Sequence, residues 1–317
     1  MFSRTSKIYV AGHTGLLGSA LLRKFSSEGY SGVVTRTRKE LELSDKTAVF
    51  SFFEKERPEF VFLAAGKVGG ITGNNTYPAD FLHANISIQD NVFEAAQKHG
   101  VERLVFYGSS CTYPKLCPQP MREDNWLTGP VEETSLGYAA AKIAGIAACK
   151  VYNKQYKTNR FIALIPNSMY GPNDNFDLEN SHVLSALIRR FYEAGKNGAP
   201  ELELWGSGSP RREFVYAGDI ADASVFAVQN ADRLENRHYN IGSGEDYSIK
   251  ELAETVSGII GFKGLIKWDT SKPDGAPRKL LDSSRFLALG WKPAANFKKA
   301  LAETCRWYID KVENNSK

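Results

Sequence analysis

The stretch that most limits how this chain can fold is a strand that runs straight into a glycine turn and out into a helix. Lys7-Ile8-Tyr9-Val10-Ala11 reads as a short buried strand and Gly12-His13-Thr14-Gly15-Leu16-Leu17-Gly18 as the turn. Leu21, Leu22 and Phe25 then recur at helical spacing. Glycines placed in this way let the backbone approach a pyrophosphate, and the helix N-terminus offers amides and the positive end of its dipole. The spacing is Gly-x-x-Gly-x-x-Gly rather than Gly-x-Gly-x-x-Gly, which a tight turn without a ligand would also satisfy. The strand before and the helix after are what favour a dinucleotide. A second strand, 32–35, ends at Arg36-Thr37-Arg38. An NAD site offers an acidic residue about 20 residues beyond the glycines. Two arginines stand there instead, and a guanidinium fork suits a 2′-phosphate, so NADP is the expected cofactor. Two solvated arginines at a strand end fit the same residues.

Strand and helix patterns continue to alternate. Ser44 is the expected cap of a helix carrying Val49, Phe52 and Phe53, and Phe60–Ala64 is a third strand. The run from Gly66 to Ile71 reads as an apolar loop able to fold over a ligand. Pro78–Lys98 is a long helix that is apolar around much of its circumference, which suits packing against a second subunit. Arg103–Tyr107 is a fourth strand, ending in Gly108-Ser109-Ser110-Cys111-Thr112-Tyr113-Pro114, and Arg160–Ile165 is a fifth. Such alternation predicts an α/β fold with a doubly wound parallel sheet, whose ligands sit beyond the carboxyl ends of the strands. From Pro166 onward the pattern becomes irregular. Residues 1–165, completed by about 214–243, are expected to form the cofactor domain, and 166–213 with 244–317 a smaller substrate-binding domain.

Composition narrows the class. A net charge of +4 over 317 residues is too small and too dispersed for nucleic acid, though it suits an anionic small ligand. Cys111, Cys117, Cys149 and Cys305 form no Cys-x-x-Cys and do not cluster with histidines, so neither a disulfide framework nor a metal site is expected. No run has the length of a signal peptide or a membrane span, which points to the cytoplasm.

Tyr138 and Lys142, four apart, share one helix face. An ammonium beside a phenol lowers its pKa and readies it for proton transfer near neutrality. Alone, the pair also fits a half-buried Tyr beside a solvated Lys. With the other motifs it carries a resemblance. The glycine turn, Tyr138 with Lys142, Arg212-Glu213-Phe214-Val215-Tyr216 and Tyr239-Asn240-Ile241-Gly242 resemble the extended short-chain dehydrogenase/reductase family of nucleotide-sugar enzymes. Lys67–Ile71, Asn74–Asp80, Gly108–Lys115, Asn180–Val183, Trp205–Gly208 and Ser271-Lys272-Pro273-Asp274-Gly275 add to it. The similarity spans nearly the whole chain.

The resemblance implies a Rossmann-like doubly wound sheet with a smaller α/β substrate-binding domain, a homodimer, NADPH, and a GDP-linked 4-keto-6-deoxy-hexose to be epimerised at C3 and C5 and reduced at C4. Whether the sugar is 3-hydroxy or 3-deoxy stays open. Ser109 and Tyr138 would bind the C4 oxygen, with Tyr138 the proton donor. Lys142 would tune Tyr138 and hold the nicotinamide ribose. Thiols and imidazoles titrate within reach of neutral pH, which makes Cys111 and His182 the natural acid–base pair. The cofactor would touch Gly12, His13, Thr14, Gly15, Leu16, Leu17, Gly18, Arg36, Arg38, Gly108, Ser109, Ser110, Lys142, Pro166, Asn167, Ser168, Met169 and His182. Thr14 stands where such enzymes often carry Arg, which shifts weight to Arg36 and Arg38. Pro166–Met169 also departs from the family pattern beside the nicotinamide. Arg190, Arg212 and Lys279 would hold the pyrophosphate. Trp205 suits base stacking or a core position, and Asp274 suits ribose, guanine or its own turn. By their residue types alone, Cys111 fits a small buried hydrophobe and His182 a surface loop.

Overall fold

The computed structural model describes residues 2–178, 180–272 and 274–314. In chain order the elements are β1 (Ile8–Ala11), α1 (Leu16–Ser27), β2 (Val33–Val34), α2 (Lys46–Glu56), β3 (Phe60–Leu63), α3 (Ile71–Thr76), α4 (Pro78–Lys98), β4 (Arg103–Tyr107), α5 (Leu136–Tyr156) and β5 (Phe161–Pro166). There follow β6 (Ser168–Tyr170), α6 (Val183–Lys196), β7 (Glu201–Trp205), β8 (Arg211–Tyr216), α7 (Ala217–Gln229), β9 (His238–Ile241), β10 (Asp246–Ser248), α8 (Ile249–Ile260), β11 (Leu265–Asp269), β12 (Arg278–Lys279), α9 (Ser284–Leu287) and α10 (Phe297–Asn314).

Six strands form one parallel sheet in the order β2-β1-β3-β4-β5-β9. β1, β3 and β5 are buried throughout, as strands covered on both faces must be, and they read as unbroken apolar runs. Period-two alternation divides β1 between two cores. Ile8 and Val10 pack with Leu21 and Phe25 of α1 and Ile220 and Val228 of α7. Tyr9 and Ala11 pack with Phe53 of α2, Val92 and Phe93 of α4 and Ile146 of α5. The order reverses between β1 and β3, which fixes the ligand crevice at their carboxyl ends.

A third core joins Leu187 and Phe191 of α6, Leu252 and Val256 of α8, and Leu301 and Tyr308 of α10. Above it β8 pairs with β10, β12 and β6, and β7 pairs with β11. At the β9 edge of the main sheet the amide of Asn240 is taken by Glu123 Oε1 at 3.1 Å, so it is not left open to another chain. Local signals mostly hold. Ser248 and Glu251 form a reciprocal capping box at α8. The cap of α2, however, is Asp45, which accepts from the Ala48 amide, whereas Ser44 turns back to Glu42. Among the described residues no helix is long and apolar enough to cross a membrane.

α5 lies close on the sheet because of its small residues. A Cβ on Gly145 would fall 2.2 Å from the Phe106 ring, itself fully packed. Gly145→Ala should therefore lower stability by about 1–3 kcal/mol through overpacking, read from urea denaturation. An unchanged midpoint would show that the helix can lift without cost.

Candidate active site

The β1–α1 turn owes its shape to missing side chains. Gly12 has φ +79°, and a Cβ there would lie 2.7 Å from the Ala65 backbone; one on Gly18 would lie 2.1 Å from the Gly12 carbonyl oxygen. Gly15 differs, because its nearest neighbour would be 3.5 Å away, so its face of the turn is open. Gly15 caps α1 without a side-chain bond, and the first turn carries no acid. Open helix amides, a positive dipole end and a glycine cradle fit a pyrophosphate. His13 adds a buried Nδ1 that no protein group satisfies. Thr14 is exposed, Leu16 half-buried and Leu17 in the core, so the last two contribute backbone and packing rather than polar contacts.

The arginine pair divides. Arg36 turns back along the sheet, pairing with Glu56 at 2.7 Å and lying 5.5 Å from the Phe52 ring centroid. Arg38 stands out in solvent, and its one ionic partner among the described residues is Glu42 in the next turn. Near them is an acid that the motif search passed over: Glu40 accepts from the Thr37 amide and hydroxyl, and these bonds hold its pKa down, aided by the charges of Arg36 and His13.

The end of β4 and the first turns of α5 gather Ser109, Cys111, Tyr138 and Lys142. Gly108 makes this possible, since a Cβ would press within 2.9 Å of Ile146 on α5. Ser109 caps the single 3-10 turn Ser110–Thr112 by accepting from the Cys111 amide, and its hydroxyl lies near enough to the Tyr138 phenol to lower that group's pKa. Tyr138 is half-buried. Burial pushes the phenol well above its ordinary pKa, the nearby Cys111 thiol adds to this, and Ser109 opposes it. The expectation that Lys142 depresses Tyr138 is thus reversed. Lys142 is itself buried, donates to the Tyr107 carbonyl at 2.8 Å, and lies 5.8 Å from the Tyr138 ring centroid. Burial pulls its pKa from 10.5 to about 8.

The apolar loop 66–70 links this cluster to His182. A Cβ on Gly66 would sit 2.8 Å from Asn85 Oδ1 and 3.9 Å from Lys142 Nζ, and the Gly70 amide donates to the Asn180 carbonyl at 2.8 Å. Beyond it the chain turns into α3, a short helix that the loop reading missed. His182 is the exposed N-cap residue of α6. One turn on, Ser185 donates to the Asp174 carboxylate, whose pKa burial raises while the Ser185 bond and the charge of His182 lower it.

Other candidates are committed to the scaffold. Pro166 ends β5, and Asn167 is buried with Nδ2 on Glu213 at 2.5 Å and Oδ1 on the Ser168 amide. Met169 packs against the core on the α1–α7 side, while Ser168 keeps some exposure. Arg190 donates to the Glu203 carbonyl and Arg212 to the carbonyls of Arg211 and Ala276. Lys279 lies directly beside Arg212 in the β8–β12 register. Among the described residues no carboxylate pairs with either. Trp205 is 70% exposed with Lys272 5.8 Å from its ring centroid, which makes it a surface platform rather than core. Asp274 spends both oxygens on Ser207 and so shapes the 205–208 turn. Pro273 of the same run lies outside the described residues.

Residues 8–242 match the NAD dependent epimerase/dehydratase family. The chain belongs to that family. Within it, a putative GDP-L-fucose synthase of Arabidopsis thaliana is 52% identical over 98% of this chain and 94% of the relative. The GDP-L-fucose synthase of Escherichia coli strain K12 is 47% identical over 96% and 97%. A solved Campylobacter jejuni GDP-mannoheptose C4 reductase with NADP bound superposes with a TM-score of 0.90 at 38% identity, covering 98% of this chain and all of that one.

The buried ammonium makes a measurable linkage. The pKa of Lys142 is about 8 in the fold against 10.5 ordinarily, so between those values the unfolded chain binds more protons and stability rises with pH. Lys142 therefore costs stability while protonated. Lys142→Met should be more stable than the parent at pH 7 in urea denaturation, and the gap should close as pH rises from 8 to 10.5. A parent that is more stable at pH 7 would show that the Tyr107 bond outweighs desolvation.

Proposed function

We propose that the chain is an NADPH-dependent 3,5-epimerase and 4-reductase that converts GDP-4-keto-6-deoxy-D-mannose into GDP-L-fucose. The observation that carries the reading is the convergence of Ser109, Cys111 and Tyr138 beside a glycine cradle open to a pyrophosphate, in a chain half identical to enzymes of that name. NADPH, when bound, supplies the hydride for C4.

The 4-keto group makes the C3 and C5 hydrogens acidic, because charge left by their removal spreads onto the C4 oxygen. Ser109 and Tyr138 donate to that oxygen and stabilise the charge. Cys111 and His182 take and return the protons, one acting on each face of the sugar, so that each centre is reprotonated from the other face. Burial holds Tyr138 as the neutral phenol, which is the form needed to hand a proton to the C4 oxygen during reduction. Lys142, fixed by the Tyr107 carbonyl, orients the ribose beside Tyr138. The open glycine turn binds the cofactor pyrophosphate, with the exposed Arg38 exchanging its Glu42 partner for a 2′-phosphate. Arg212 and Lys279 take the GDP diphosphate and Trp205 stacks on the base.

The active form is a homodimer. α5 presents Leu136, Ile143, Ala147 and Val151 along one row, and α4 presents Leu82 and Ile86. Leu136 and Val151 are 47% and 56% exposed, more than a lone helix pair leaves bare when a second copy can cover it. Val151→Glu should shift the protein from dimer to monomer in light scattering at micromolar concentration; a parent that is already monomeric would refute the dimer.

Incubation with NADPH and GDP-4-keto-6-deoxy-D-mannose, with NMR of the product sugar, tests the activity. In D₂O, Cys111→Ser should lose most deuterium uptake at C3 and C5 while still binding NADPH. Tyr138→Phe should keep part of the uptake and lose NADPH oxidation by ~10²–10⁴-fold. Wild-type uptake in Cys111→Ser would reduce Cys111 to a packing residue.

A further inference from the structure

Two buried polar side chains away from the reacting groups fasten the segment after β12 to two different walls of the cleft. Glu213, wholly buried in β8, accepts from Asn167 Nδ2 at 2.5 Å and from the Leu281 amide at 3.0 Å through one oxygen, and from the Gly244 amide at 2.8 Å through the other. All of these neighbours are donors, so a carboxylate matches them and an amide does not. The fit is close, since a Cβ on Gly242 would lie 2.3 Å from Glu213 Oε1. Asn240, wholly buried in β9, accepts the Tyr113 hydroxyl at 2.6 Å and donates through Nδ2 to the carbonyls of Met121 at 3.0 Å and Asp282 at 3.2 Å.

The ties therefore diverge at neighbouring residues. Leu281, two residues beyond Lys279, is joined through Glu213 to the Asn167 turn at the end of β5. Asp282 is joined through Asn240 to Tyr113, two residues beyond Cys111. We propose that Glu213 and Asn240 are positioning residues, Glu213 registering the substrate-binding strand against the hydride-transfer wall and Asn240 registering it against the proton-transfer loop. The proposal rests on the roles given above to Cys111 and Tyr138. Hydride transfer needs the sugar and the nicotinamide aligned across the Glu213 tie, whereas exchange at C3 and C5 needs the sugar aligned with Ser109, Cys111, Tyr138 and His182 but not with the nicotinamide. A misplacement of about 1 Å can cost ~10²-fold in rate.

The test compares the full-length parent, Glu213→Gln and Tyr113→Phe at saturating NADPH and substrate in D₂O, following NADPH oxidation and deuterium at C3 and C5. Amide hydrogen exchange of each protein without ligands is measured alongside. In Glu213→Gln the ratio of deuterium uptake to NADPH oxidation should rise about tenfold or more. The Leu281 and Gly244 amides should exchange faster while the six-stranded sheet stays protected. Tyr113→Phe, which removes one hydroxyl, should lower deuterium uptake and leave the ratio at or below the parent's. If Glu213→Gln does not fold, Asn167→Ala cuts the same tie from its other end and must raise the ratio likewise. Parallel loss of both activities with an unchanged ratio overturns the proposal, and so does unchanged protection at Leu281. A parent that neither exchanges nor oxidises refutes the proposed activity instead, and the amide protection then decides alone whether the ties exist.

Discussion

The close passage of the β1–α1 turn against the end of β3 governs where the rest of the site can stand. With the Gly12 α-carbon seated against the Ala65 backbone and Gly18 against the Gly12 carbonyl, no side chain fits between turn, helix and neighbouring strand. Three consequences follow. α1 starts at the sheet's rim with its amides outward. The chain leaving β3 must pass over the same rim, which brings Gly66 beside Lys142. Asn85 then locks that crossing, because its amide group takes the Lys67 amide and gives to the carbonyls of Lys67 and Phe81. The cradle, the loop and the Tyr138 helix are one packing problem solved with glycine and one buried asparagine.

That packing also sets the electrostatics. Tyr138, half-buried, and Lys142, buried, stand on the same helix face, and burial disfavours the charged form of each, moving the phenol up and the ammonium down. Under the proposed reading, such a site keeps the Tyr138 proton on a neutral phenol until a ketone oxygen develops charge. Cys111, placed by a single 3-10 turn after the strand rather than on the helix, is half-buried.

Much of this was legible where one local signal sufficed. The glycine turn, the long helices Pro78–Lys98 and Leu136–Tyr156, and the Ser248 capping box follow from period, proline and cap chemistry within a few residues of chain. What escaped was decided by distant partners. β6, β10 and β12 are two or three residues long and exist because β8 lies beside them. Arg36 looked like a phosphate ligand because of its place at a strand end, but Glu56, 20 residues on, claims it. Tyr138 and Lys142 were recognised as a pair, yet their spacing carries no information about burial, and burial reversed the expected shift. Glu213 did leave a mark: a carboxylate entering the apolar run Phe214-Val215 of β8 has to be either an edge charge or a satisfied buried anion.

The substrate side shows why charge counting alone does not locate an anion site. In the β8–β12 register Arg211 lies beside Arg278 and Arg212 beside Lys279, so like charges neighbour one another twice, an arrangement that is unfavourable unless something negative intervenes. For the first pair the protein supplies it. Asp246 is buried as well, which would raise its pKa, but bonds from Arg278 and Arg211 outweigh this and hold its carboxylate ionised. The second pair receives only backbone carbonyls on Arg212, whose burial lowers its own pKa. Two adjacent cations, one of them partly desolvated and both without a carboxylate among the described residues, are stabilised by an anion that bridges them. A diphosphate, with charge spread over several oxygens, meets that need better than a single carboxylate. The unbalanced pair, rather than the more arginine-rich one beside it, is therefore where the proposed reading puts the nucleotide.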